Sequence, residues 1–235
     1  MARQTMDVPV AAGQEVLDAL MSSRWSCRGY RPDPVPREVI EAILDTARRA
    51  PSWCNTQPWH LHIAEADATN RFRAALTAHV GQAPTENPDI AFPEAYEGVY
   101  EERRRASGWQ LYESVGIAKG DRVASAKQMM RNFELFDAPH VAIVTTEAKL
   151  GTYGAVDCGV FVNSFVLAAH SHGVATIPQA ALASQAPFIR EFFGIPEDRL
   201  VLLGISFGYP DVDHPINSYR TDRQSREDLA TWVES

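Results

Sequence analysis

This chain is short of cysteine, of glycine-rich phosphate loops and of positive charge. Its 235 residues hold only three cysteines, Cys27, Cys54 and Cys158, far apart and odd in number. With no CxxC and no metal-type spacing, neither a disulfide scaffold nor a metal site is expected. The seven histidines are scattered, and the His60/His62 pair has no third ligand in sequence reach. No glycine pattern of the dinucleotide-binding or Walker type occurs, and no GxSxG elbow is present. A formal net charge of -8 leaves no cationic excess to displace counterions, which argues against a nucleic-acid or anionic-membrane partner. No apolar run approaches the roughly 20 residues that span a bilayer, and no signal pattern opens the chain. A reducing cytoplasm is the expected compartment.

What is present is ordinary in bulk. Hydrophobic residues make up 45% and charged residues 22%, as in a soluble globular protein. The length suits a single domain over residues 1–235 with a substantial core. Residues 14–22 predict a short amphipathic helix. Pro36 suits the first turn of the next helix, whose Val39, Ile40, Ile43, Leu44 and Ala47 recur at spacings of three and four. Residues 59–64 alternate in the manner of a half-buried strand, 67–78 predict a helix, and 80–95 a loop. The polar, aromatic stretch 96–136 has weak periodicity and is expected to be helical in parts. Residues 140–146 and 200–208 read as strands. Residues 156–172 predict a strongly apolar helix stopped by Gly173, buried on more than one side. The glycines at 151–154 read as a turn.

Basic residues are concentrated locally, at 24–31, 103–105 and 220–226. Arg24 and Arg28 flank Trp25 and Ser26, and their guanidiniums suit a phosphate; the same cations could instead complement a helix C-terminus. The segment Pro51, Ser52, Trp53, Cys54, Asn55, Thr56, Gln57, Pro58, Trp59 carries more polar and aromatic side chains than a turn requires. Amides such as Asn55 and Gln57 match alternating donors and acceptors on a heterocycle. Near the C-terminus Arg220, and after it Arg223, offer further guanidiniums, although Asp222 between them could make a surface ion-pair cluster. Cys27 and Cys54 are read as packing residues, because nothing beside them activates a thiolate. The set points to a phosphorylated, hydrogen-bond-rich heterocycle.

These segments resemble those of the nitroreductase family of FMN-dependent oxidoreductases, with residues 50–59 matching its APSxxNxQPW segment. The resemblance runs from about residue 15 to the C-terminus, with a poorly matched middle. It implies an α+β fold with an antiparallel-rich central sheet flanked by helices, and an intertwined homodimer with FMN at the interface. It implies FMN contacts from Arg24, Trp25, Ser26, Arg28, Arg220, Arg223 and the segment Pro178, Gln179, Ala180, Ala181 of one chain. Pro51, Ser52 and Asn55 would come from the other chain, and Gln57 joins the cofactor set. No side chain is expected to be an essential acid or base, and Arg28 would act as an electrostatic stabiliser. The implied reaction moves hydride from NAD(P)H to an electron-poor small aromatic acceptor, a nitroaromatic or quinone. Reductive dehalogenation of halogenated phenols is the alternative on this scaffold, and a non-catalytic flavin carrier or sensor the alternative of another class. Residues 85–135 would form a variable lid or dimer arm, with Trp53, Tyr96, Tyr100, Arg103, Trp109 and Tyr112 as substrate candidates. Truncating the arginines at 103–105 tests whether that lid selects nitrobenzoates.

Overall fold

The structure is a computed structural model that describes residues 10–234. Helices α1 (Val10–Ser23) and α2 (Arg37–Ala47) precede strand β1 (His60–Glu65). Helices α3 (Asp67–Val80), α4 (Val99–Ser114) and α5 (Arg122–Met130) lead to strand β2 (His140–Glu147). Helix α6 (Gly151–Ser171), strand β3 (Ala175–Gln179), helix α7 (Ala186–Phe193), strand β4 (Arg199–Gly208) and helix α8 (Arg226–Leu229) complete the order. The strands form one antiparallel sheet in the order β1-β2-β4-β3.

Helices cover both faces of that sheet, and the side-chain period of two explains how. Along β2, Ala142 and Val144 join the core under α2 and α6, while Val141 and Ile143 join the core under α3 and α7. Phe165 of α6 meets Phe207 edge-on at 5.8 Å between ring centroids, and Phe161 stacks on Trp59 at 4.9 Å. α6 ends as expected: Gly173 takes a left-handed φ of 72° after its last turn.

Several elements depart from expectation. α6 starts at Gly151, so the glycines at 151–154 belong to its first turn and are no separate turn. Together with the preceding turn it spans 24 residues, Ala148–Ser171, and by length and composition could cross a membrane, contrary to the expectation of no such run. Half of its apolar window lies inside this fold, where it forms the central core helix. β3 escaped sequence reading because Pro178 argues against a strand. It is tolerated beyond the point where the neighbouring segment pairs, since Ser26 bridges Thr176 and the Cys27 N–H reaches the Thr176 carbonyl at 3.0 Å. The 96–136 stretch resolves into α4 and α5, neither of which buries a residue.

Three successive residues without glycine's freedom, Leu135, Phe136 and Asp137, hold positive φ of 57°, 51° and 61°. Leu135 and Phe136 are buried there. The run is clamped from both sides. Arg73 donates to the carbonyls of Glu134 and Ala138, and Arg131 bridges the carboxylates of Glu134 and Asp137.

Two measurements follow from this packing. A Cβ at Gly208 would lie 2.6 Å from Pro139 Cδ and 2.8 Å from its Cγ, and a proline ring cannot swing aside. Gly208→Ala is therefore expected to cost about 1–3 kcal/mol, seen as a lowered melting temperature. His140 is buried, stacks on Phe207, and accepts the Val35 N–H at Nε2 (2.8 Å). Burial lowers its pKa. The unfolded chain then takes up this proton first as pH falls below about 6.5, so stability is lost on acidification. Urea midpoints between pH 7 and 5 should fall less steeply in His140→Gln.

Candidate functional site

The arginine segment reaches its place by adding to the free side of β3, and the C-terminal segment reaches the same place through Asn217. Buried Asn217 accepts the Arg28 N–H at Oδ1 (2.9 Å) and donates from Nδ2 to the carbonyls of Gly29 (2.8 Å) and Asp211 (2.7 Å). One amide thereby binds residues near the two ends of the chain. Around the junction Arg24, Arg28, Arg220 and Arg223 line a cavity of about 250 Å³ with Trp25 and Ser26.

None of these four guanidiniums has a carboxylate within 4.0 Å among the described residues, so Asp222 forms no ion-pair cluster there. Burial, and then the nearby charge of Arg223, lower the Arg24 pKa. His170 feels the same field: burial first and Arg24 second lower its pKa, while its Nε2 lies 2.7 Å from Ser23 Oγ. Arg220 lies over the Trp25 ring at 4.4 Å, an arrangement that fixes its cation. The buried Trp25 Nε1 has no hydrogen-bond partner among the described residues. An orphan donor and four like charges around one cavity fit a phosphate-bearing ligand.

Arg28 spans the junction, its guanidinium donating back to the Ser26 carbonyl (3.3 Å). Its guanidinium donates to Tyr219 Oη (2.8 Å) and sits 5.8 Å from the Phe136 ring centroid. Arg28, Tyr219 and Ser107 also border a second cavity of about 390 Å³, lined by Arg104, Arg105, Trp109 and Tyr112 of α4. Trp109 and Tyr112, two of the substrate candidates from the sequence, thus line a cavity that Arg28 also borders. Arg103, Tyr96 and Tyr100 do not line it; all three are exposed, and Tyr96 lies under Arg104 at 5.3 Å. Tyr219 and Ser107 are the additions that sequence reading missed. Tyr219 stood inside a quoted motif, whereas nothing local marked Ser107.

The segment 51–57 lies elsewhere. Pro51, Asn55 and Gln57 are exposed, Ser52 is half-buried, and none lines either basic cavity. Its shape is held locally: Ser52 Oγ accepts the Gln57 N–H at 2.9 Å, and Asp157 of α6 accepts the Trp53 N–H at 3.1 Å. Trp53 is 63% exposed against Tyr153. Cys27 packs as expected and burial pushes its thiol up to about 11, but Cys54 is exposed and is no packing residue. Of the segment 178–181, Gln179 turns inward. It accepts from Ser206 Oγ (2.5 Å) and donates to the Asn132 carbonyl (2.9 Å), so its side chain is structural. Pro178 and Ala181 are half-buried and Ala180 is exposed.

A family model described as the nitroreductase family matches residues 21–209. The chain belongs to the nitroreductase family. Nitroreductase NfnB of Mycolicibacterium smegmatis is 36% identical over 225 residues, covering 93% of this chain and 91% of that protein. A 4-nitrobenzoate reductase of Pseudomonas putida is 34% identical over 219 residues, covering 92% and 95%. The crystal structure of the FMN-dependent nitroreductase NfnB from Mycobacterium smegmatis in complex with NADPH superposes with a TM-score of 0.88 at 32% identity, covering 94% of this chain and 99% of that one. The α+β family fold expected from the motifs is thereby established.

The arginine cavity is expected to bind anions at a cost to the unliganded protein. Inorganic phosphate should raise the melting temperature above that in chloride of equal ionic strength. Arg24→Gln should need about tenfold more phosphate for the same gain. By relieving the repulsion from Arg223, it should be no less stable than wild type without phosphate.

Proposed function

We propose that this chain is an FMN-dependent oxidoreductase that uses NAD(P)H to reduce nitroaromatic acceptors, and that it works as a homodimer. The observation that carries the reading is the ring of four guanidiniums without carboxylate partners around one cavity. Bound FMN supplies the transfer of a hydride equivalent between nicotinamide and acceptor. The protein supplies binding, orientation and field. Arg24, Arg220 and Arg223, with Trp25 and Ser26, would hold the phosphate. Arg28, kept in place by Tyr219, sets a fixed positive charge on the wall shared with the α4 cavity, where it stabilises negative charge that develops during reaction. Arg104, Arg105, Trp109 and Tyr112 offer cations and rings together, which suits an anionic aromatic acceptor such as a nitrobenzoate.

Dimer formation is supported by what the single chain leaves uncovered. Tyr153, Val156 and Val160 stand exposed along α6 beside Trp53, and Pro51, Asn55 and Gln57 share that side through the Trp53–Asp157 hydrogen bond. A second copy on this face would carry those polar groups to the neighbouring cavity. NAD(P)H is a cytoplasmic reductant, and the three free cysteines suit that compartment.

The purified protein should show a flavin spectrum that bleaches on adding NADPH under nitrogen and returns on adding a nitroarene. Arg24→Ala should lose FMN, whereas Arg28→Ala should retain it and turn over roughly 10²-fold more slowly. A colourless protein that FMN cannot reconstitute would refute the reading.

A further inference from the structure

Arg28 is a cation without an anion to hold it. No carboxylate lies within 4.0 Å of it among the described residues, while Arg24, Arg220 and Arg223 around the same cavity repel it. Its guanidinium hydrogen bonds go to two uncharged oxygens, Tyr219 Oη (2.8 Å) and the Ser26 carbonyl (3.3 Å). The third contact is the Phe136 ring, whose centroid lies 5.8 Å from the guanidinium carbon, within reach of a cation–π interaction. Phe136 is only 2% exposed, yet it belongs to neither hydrophobic core. Its burial serves the charge.

The backbone adopts a strained form to bring this ring there. Phe136 is the middle one of the three successive residues with positive φ. Such conformations persist only where the surroundings over-determine them, and they concentrate at active sites and ligand clamps. A turn that only joined α5 to β2 would form with less strain if glycine stood at these positions.

What over-determines the turn is identifiable. Arg73 of α3 donates from Nε to the Glu134 carbonyl (2.9 Å) and from Nη2 to the Ala138 carbonyl (2.5 Å), spanning the run from end to end. Its Nη1 is directed to Asn70 Oδ1 (2.7 Å). The planar guanidinium fork meets two carbonyls at once, which the ammonium of a lysine cannot do with the same geometry. Gln179, at the end of β3, donates to the Asn132 carbonyl (2.9 Å) and ties the start of the turn to the sheet. Neither Phe136 nor Arg73 lines either basic cavity. Their influence on a ligand passes through Arg28.

We propose that Phe136, held by the Arg73 clamp, is the positioning residue of Arg28, and that it thereby sets how strongly the site favours reduced over oxidised FMN. For the cofactor this rests on the oxidoreductase reading above; for the place of Arg28 it rests on the geometry of the chain alone. The ring offers an attraction that opposes the repulsion from the other three arginines, and the clamp keeps the ring from giving way. A fixed cation then meets the negative charge that develops on reduction without having to reorganise.

The test uses Phe136→Leu, which keeps an apolar side chain, and Arg73→Lys, which keeps the charge. Two quantities are measured: the midpoint potential of bound FMN, and the NMR resonance of the Arg28 Nε–H in the FMN-free protein, assigned by its loss in Arg28→Ala. Each variant should weaken the preference for reduced FMN about tenfold, a fall of about 30 mV in the two-electron potential. Each should also move the Arg28 resonance. In an Arg28→Ala background the same substitutions should leave the potential where Arg28→Ala alone puts it, whereas a general loosening of the fold would add its effect again. An unchanged potential in both variants would overturn the proposal. So would a fall that persists in full without Arg28, which would give the ring a direct action on the cofactor. A wild-type protein that holds no FMN would refute the oxidoreductase reading separately. The Arg28 resonance would then decide the positioning alone, and if unmoved in both variants would overturn it.

Discussion

The site depends on a single buried amide. Asn217 uses one acceptor and two donors to join Arg28, Gly29 and Asp211. It is the buried member of a set of polar links between the segment that adds to β3 and the segment that carries Arg220 and Arg223, beside the Arg28–Tyr219 hydrogen bond and the Asp211 N–H donated to the Gly29 carbonyl. A shorter or apolar side chain would leave an N–H and two carbonyls to be satisfied away from water, and each such group is expensive. The arginines therefore meet through a residue that touches no ligand itself.

Charge is distributed with the same economy. Arg31, Arg37, Arg48, Arg105, Arg131, Arg190 and Arg199 each lie within 4.0 Å of a carboxylate. The four around the 250 Å³ cavity do not. An overall charge of -8 thus coexists with a strongly cationic cavity, because the acidic residues are deployed elsewhere. Partial burial, and after it the neighbouring positive charge, lowers the pKa of both Arg24 and His170.

Much of the fold was legible because its pattern is local. The helical face of α2, the alternation in β1 and the stop at Gly173 need no knowledge of the partner surfaces. What escaped was decided by tertiary context. Pro178 sits in a strand because pairing on its outer side is confined to Thr176. The glycines of 151–154 belong to a helix whose buried side repays their poor propensity. In the site, residue types that cluster in sequence were found, Arg24, Arg28 and Arg220 among them. Ser107 enters only because α4 lies beside 215–217, and Arg103, which is exposed, does not line the cavity that Arg104 and Arg105 border. The side-chain partners of Gln179, Ser206 and Asn132, were not legible either, because they are distant in the chain.

The Asn217–Arg28 hydrogen bond joins residues 189 positions apart. During synthesis the first arginines leave the ribosome while most of the chain is still untranslated, and at about 5–20 residues per second their partners follow only after about 10–40 s. Until residues 175–179 are made, α1 and the Arg24–Arg28 segment have no β3 to pair with, and until residue 217 is made no Asn217 to hold them. The nascent chain can pair β1 with β2 first, β3 gains its sheet partner only once β4 has been made, and the segments near the two chain ends meet last. A polypeptide truncated shortly before residue 217 would contain every strand and both hydrophobic cores, yet lack Tyr219, Arg220 and Arg223 and with them one side of the arginine cavity.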